Sequence, residues 1–345
     1  MKHLVRVLAM AACIAGAHAI RAQEAQAAAP ADPGCAVVAP AAVRQGDPVF
    51  VSLAVRSGQS LPALPVELSI RYPDGSESPR APAHRVPRRT DRVPGEPVPG
   101  AGPSARPSSP RAAWMALVGV PTDAPVGTAT VVAYSAGVEL ATVDMDLRKR
   151  TWNKETLVLN AALTRIRAQP DPRKDEQAER YNAVLLTVDP GAVYLDGGFS
   201  APLSGNRRTA FFGDQRTYKY SSGTSAYSVH AGIDYGYPTG TPVLAPGRGK
   251  VVMAEERITT GLTVIVEHLP GVYTIYMHLS RMDVLPGQIV ERGQSLGAVG
   301  STGLSTGPHL HWELRVLGVA CDPEALLGID KMPDFRTMMP AIEGR

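Results

Sequence analysis

The stretch HLHWELRV, residues 309–316, alternates polar and apolar side chains with a period of two. In an extended chain residues i and i+2 project to the same face. His309 and His311 therefore share one face, and Leu310, Trp312 and Leu314 take the other and pack a core. VYTIYMHLS, residues 272–280, reads in the same way, with Tyr276 and His278 on one face and Ile275, Met277 and Leu279 on the other. One polar and one apolar face is the pattern of a half-buried antiparallel strand. Working outward, TPVLAPGRGKVVMAEE (241–256), GLTVIVEHL (261–269) and QIVERGQSLGAVG (288–300) continue a dense series of short strands from Gly191 onward. That density predicts a mostly antiparallel sheet over residues 191–330, folded on itself. No Gly-rich phosphate loop precedes a helix, so nothing points to a nucleotide.

The polar positions of these strands carry metal chemistry. HAGID (230–234) supplies His230 and Asp234, and HLH supplies His309 and His311, with His278 between them in the chain. Zinc prefers imidazole and carboxylate ligands, and a catalytic zinc keeps three protein ligands and an open position for water. His230, Asp234 and His311 satisfy that count. His278 and His309 are then left as unligated imidazoles, suited to moving protons near neutral pH. Gly232 lets the chain bend and approach a metal, so 230–234 is read as a loop entering a strand.

Ahead of this region the chain has a different texture. Lys2, His3 and Arg6 precede an Ala-rich apolar run and small residues around Ala17, Ala19 and Ala22, the layout of a secretory signal peptide over residues 1–22. The run is too short for a stable membrane span, and no other segment qualifies. Residues 34–150 hold short alternating runs such as VFVSLAVRS and TATVVAYSAG, which predict a small β-sandwich. Within it, residues 79–111 contain nine prolines and seven arginines against two acids, which predicts a solvated loop. Residues 151–190 switch to helical spacing, and Asp171 followed by Pro172 is a good cap and first helical residue. Two helices are expected there as a connector, and residues 331–345 as a C-terminal tail. The fold class expected is therefore mainly β. A formal net charge of +3 over 345 residues gives no case for nucleic-acid binding.

HAGID, GTPVLAPGRGKV, YMHLS and VGSTGLSTGPHLHWEL together resemble the lysostaphin-type, or LytM-like, zinc metallopeptidases of the cell wall, over residues 195 to about 328. The resemblance implies a β-sheet domain with a groove, one zinc ion per chain, and His230, Asp234 and His311 as its ligands. It implies His309 and His278 as the catalytic histidines, and peptide cross-links of peptidoglycan as substrate, cut by a metal-activated water. None of the five positions departs from the family pattern. With the signal peptide, this places the expected activity outside the cytoplasm, in the periplasm or cell envelope.

The rival reading is a non-catalytic regulator that binds wall material or activates another wall hydrolase; complete ligands argue against it. VLPGQIVERGQSLGAV (284–299) resembles the hairpin of biotinyl and lipoyl carriers, but its turn lacks the Lys those need. His268 is expected to make a structural hydrogen bond. Asn206, Arg207 and Arg216 are expected on the solvated surface, and Phe211–Val229 as a groove loop that sets specificity. Tyr276 has two readings, groove lining or packing. Cys35 and Cys321 form either one disulfide or two separate thiols.

Overall fold

The computed structural model describes residues 34–55, 59–86, 112–195 and 197–327. The expected signal peptide, most of the Pro/Arg-rich loop and the C-terminal tail lie outside them. Residues 79–86 of that loop are described and carry two short strands, Ala81–Pro82 and His84–Arg85.

The protein is mainly β, as the alternation predicts. In the N-terminal region a four-stranded sheet, built on Pro48–Val55 and Ala112–Gly119, faces a five-stranded sheet built on Val66–Arg71, Gly127–Ser135 and Val138–Arg148. Val51, Leu53, Trp114 and Val118 from the first meet Leu68, Ile70, Val131 and Met145 from the second in one core. Fully burying a large apolar side chain contributes about 1.5–3 kcal/mol, so these inward rows hold the sandwich closed.

The C-terminal region is organised by an eight-stranded antiparallel sheet. Its order is Arg208–Ala210, Gly232–Tyr235, Leu310–Val316, Val272–Leu279, Gly261–Leu269, Gly249–Arg257 and Ile289–Val290, with Val319–Cys321 also paired to Leu310–Val316. On one face Tyr276, Leu310, Trp312, Val264 and Val266 pack against Val243, Val284 and Leu296 from the three-stranded sheet of Pro242–Leu244, Ser295–Ala298 and Arg281–Met282 and its flanking loops. On the other face helix α2, Pro172–Leu186, lays Tyr181 and Leu185 on Ile265, Tyr273, Ile275 and Met277. Asp171 caps α2 by accepting from Arg173 N–H, and Pro172 starts it, as the sequence predicts.

The first expected helix is shorter than its spacing suggests. Helix α1 covers only Ala161–Ala168, capped by Asn160, while Lys154–Val158 is a strand paired in parallel with Gln215–Lys219. Nor is Phe211–Val229 a loop: Gln215–Lys219 and Ser225–Val229 form an antiparallel hairpin. At Lys154–Val158 a non-local pairing overrode local propensity. The sandwich and the C-terminal region share contacts: Arg150 pairs with Asp47 at 3.5 Å and with Asp322 at 2.5 Å, and Leu117 joins the cluster around Leu314, Val316 and Cys321. Cys35 and Cys321 are not joined by a disulfide.

Candidate metal centre and active site

Asp234 and His311 lie directly opposite each other, because Gly232–Tyr235 pairs antiparallel with Leu310–Val316 in a register that matches Gly232 to Glu313 and Asp234 to His311. Directly opposed side chains on neighbouring strands are within reach of one another. A side chain at position 232 would run into the Trp312 carbonyl, so glycine permits this pairing. His230 enters from the end of the preceding hairpin, one residue after Val229. All three are buried.

Each imidazole is fixed through its outer nitrogen. His230 Nδ1 donates to the Phe211 carbonyl at 2.8 Å, so its Nε2 carries a lone pair. His311 Nε2 donates to Glu313 Oε1 at 2.9 Å, so its Nδ1 carries one whenever the ring is neutral. Those two nitrogens face each other at 2.9 Å, and both face Asp234 Oδ1, at 3.1 and 2.7 Å. Two imidazole nitrogens and one carboxylate oxygen thus converge on one point, where either a proton on His311 Nδ1 or a bound cation offsets the carboxylate charge. For His311, burial disfavours a proton, but the hydrogen bonds and charges of Asp234 and Glu313 outweigh it and push the pKa up to about 9. For Asp234, burial acts upward and the two imidazoles, outweighing it, hold the carboxyl well below its usual range. Two ring nitrogens and one carboxylate oxygen are zinc's preferred donors, in the number that leaves a position open. Among the described residues, His230, Asp234 and His311 are the group with donor atoms close enough to hold a metal ion, all within 4.8 Å of one another.

The support for these residues includes what the sequence reading missed. Arg216 is not on the solvated surface: it is buried, and its Nη2 donates to Asp234 Oδ2 at 2.7 Å while its Nε donates to Glu155 at 2.9 Å. Asn206 and Arg207 are exposed, as expected. Glu313 is held by Arg315 at 2.7 Å and receives Tyr181 Oη from α2 at 3.3 Å. Burial acts against the Glu313 charge, but Arg315 and His311 bring its pKa down to about 2.

His278 and His309 stand beside this cluster, their ring centroids 4.7 Å apart. The alternation that put His278 on the Tyr276 face is broken. Leu262 pairs with Leu279 and Val264 with Tyr276, so a bulge separates Met277 and His278 from regular pairing, and His278 has φ +60°. The bulge turns His278 onto the His311 side, while Tyr276 is fully buried, bonded to Thr274 Oγ1 at 2.8 Å, and packs rather than lines the groove. His278 Nδ1 donates to the Thr302 carbonyl at 2.7 Å; burial, then the neighbouring His309 and His311, bring its pKa down to about 3. His309 Nδ1 donates to the Gly307 carbonyl at 2.8 Å, leaving Nε2 3.8 Å from Asp234 Oδ1. All five residues border one cavity of about 410 Å³. Leu157, Leu159 and Leu163 of the connector also line it. His268 is structural as expected: its ring nitrogens bond the Arg248 carbonyl at 2.9 Å and Thr274 Oγ1 at 2.8 Å.

Two imidazoles and a carboxylate on an antiparallel sheet, beside two further imidazoles, have the makeup of a metallopeptidase-type hydrolase. Residues 228–323 match the model of peptidase family M23, and the chain belongs to that family. It is 40% identical to the DD-carboxypeptidase/endopeptidase Mpg of Neisseria meningitidis over 37% of this chain and 29% of that protein. It is 45% identical to the peptidoglycan DD-endopeptidase ShyA of Vibrio cholerae over 28% of this chain and 22% of that protein. The chain thus spans under a third of the length of these curated relatives. Among solved structures, a mutant catalytic domain of the prophage-encoded M23 protein EnpA from Enterococcus faecalis is 36% identical, covering 33% of this chain and 85% of that one at a TM-score of 0.28.

Proposed function

We propose that the protein is a zinc-dependent endopeptidase that hydrolyses peptide cross-links of peptidoglycan, with His230, Asp234 and His311 as the zinc ligands. The observation that carries this is the convergence of two imidazole nitrogens and one carboxylate oxygen, all within 4.8 Å of one another, on a cavity bordered by two more imidazoles. Bound there, zinc supplies Lewis acidity, lowering the pKa of a water toward 7 and polarising the scissile carbonyl. The chain's own residues handle the protons. With Nδ1 committed to the Gly307 carbonyl, His309 keeps Nε2 as an acceptor that takes the proton of the attacking water. The imidazolium so formed passes that proton to the leaving amine. His278, fixed by Thr302, orients the water or carbonyl from the other side and stays neutral in the resting site. Leu157, Leu159 and Leu163 give the substrate a water-excluding wall.

Peptidoglycan lies outside the cytoplasmic membrane, so the signal-like segment 1–22 fits export to the periplasm or envelope. Among the described residues no helix is long and apolar enough to cross a membrane. The test is digestion of purified peptidoglycan with and without a chelator, identifying the cut bond by mass spectrometry. Chelator-sensitive release of uncross-linked peptides is expected; zinc-loaded protein that cuts no wall peptide would replace this reading with the regulator.

A further inference from the structure

The two oxygens of Asp234 are divided between different partners. Oδ1 faces His230 Nε2, His311 Nδ1 and, at 3.8 Å, His309 Nε2. Oδ2 receives Arg216 Nη2 at 2.7 Å. Arg216 is itself held from behind, its Nε on Glu155 Oε2 at 2.9 Å, and Glu155 sits on the connector strand Lys154–Val158. That strand pairs with Gln215–Lys219 in the register Glu155 to Arg216, so the sheet fixes where the guanidinium points. Neither Glu155 nor Arg216 falls in the segment 228–323 that matches the family model.

We propose that Arg216 is a positioning residue that makes Asp234 a one-oxygen metal donor, with Glu155 on the connector locking Arg216 in place. The reasoning rests on the reading that His230, Asp234 and His311 bind metal. A carboxylate can offer one or both oxygens to a cation, and the second competes for the position that a catalytic zinc leaves open. Arg216 occupies Oδ2 with a charge-assisted hydrogen bond, which a short, buried contact makes strong. Its positive charge also offsets the carboxylate, so the donor set withdraws less of a bound cation's charge. Groups hydrogen-bonded behind metal ligands typically change affinity or activity by 10–100-fold when removed. The arrangement makes the connector part of the metal site, two residues removed from the ion.

The experiment uses the full chain and two readouts other than cleavage: zinc affinity by competition with a chromophoric chelator, and the visible spectrum of the Co²⁺-loaded protein. Arg216→Gln is expected to change zinc affinity about 10–100-fold, the usual size when a group behind a metal ligand is removed. Its cobalt bands should weaken as Oδ2 joins the ion and the coordination number rises. Arg216→Lys keeps a charge on Oδ2, so it should restore both a spectrum and an affinity like the parent's. Glu155→Gln should change the affinity less than Arg216→Gln does. A folded Arg216→Gln protein with parental affinity and spectrum overturns the proposal, because a merely structural arginine would reduce stability and leave the spectrum unmoved. If Arg216→Gln does not fold, Arg216→Lys decides: a higher-coordinate spectrum despite its charge overturns the proposal, and a parental one upholds it. Parent protein that binds zinc yet cuts no wall peptide sinks the endopeptidase reading and leaves Arg216's role standing; parent protein that binds neither zinc nor cobalt removes both.

Discussion

The hairpin Gly261–Leu269 and Val272–Leu279 carries a buried histidine near each end, and the two ends are built differently. Near the turn, His268 spends both ring nitrogens inside the protein, on Arg248 and Thr274. At the open end His278 spends Nδ1 on Thr302, at a bulge with left-handed backbone, and borders the cavity. Both rings are kept neutral by burial, with pKa values down to about 4 and about 3. Burial and a low pKa therefore do not separate a structural histidine from a chemical one. What separates them is whether the second nitrogen is already satisfied.

That contrast can be broken most severely at the cavity. His311→Ala should lose stoichiometric zinc and all measurable cleavage of peptidoglycan, read by metal analysis and by product release. Cleavage that persists without zinc would remove the distinction. Next, His278→Ala and His309→Ala should each keep the metal and slow cleavage by about 10²–10⁴-fold, the usual size of a lost proton-transfer group. Full activity in both variants refutes their roles.

At the closed end the expected effect is on stability alone. His268 is neutral in the fold down to about pH 4, whereas an unfolded histidine protonates near 6.5. Above 6.5 both states are neutral and the group contributes no pH dependence. As pH falls from 6.5 to 4 the unfolded state alone gains a proton, and stability drops by an amount on the order of 3 kcal/mol. Urea unfolding across that window should show the slope, and His268→Asn should reduce it by the His268 share, leaving that of His278, with cleavage at pH 7 near the parental rate. The smallest effect belongs to Tyr181→Phe, which removes the 3.3 Å bond from α2 to Glu313. It should cost about 0.5–1.5 kcal/mol in unfolding and leave zinc bound; loss of zinc would show that α2 is integral to the metal site.

Most of the strand framework was legible, because HLHWELRV obeys strict alternation and its apolar half is buried as read. The five candidate histidine and aspartate positions could be picked out because the short strings HAGID, YMHLS and HLH hold metal-site residue types at close spacing. His278 reached the cavity despite its alternation, since a bulge is a feature of two paired strands and not of one string. Arg216 was misread because its partner lies 18 residues away and its lock, Glu155, 61 residues away. Lys154–Val158 was misread because its strand character comes from Gln215–Lys219, a segment no local window contains.

The donor set of His230, Asp234 and His311 also has a consequence for ion choice. Hard ions such as magnesium and calcium seek six or more oxygens, and magnesium parts reluctantly with its waters. Two imidazole nitrogens and a single oxygen offer them little, whereas borderline-soft divalent ions gain from nitrogen ligands. Alkaline-earth ions are thus poor competitors for this pocket, and its donors favour a borderline-soft divalent ion such as zinc even against their excess.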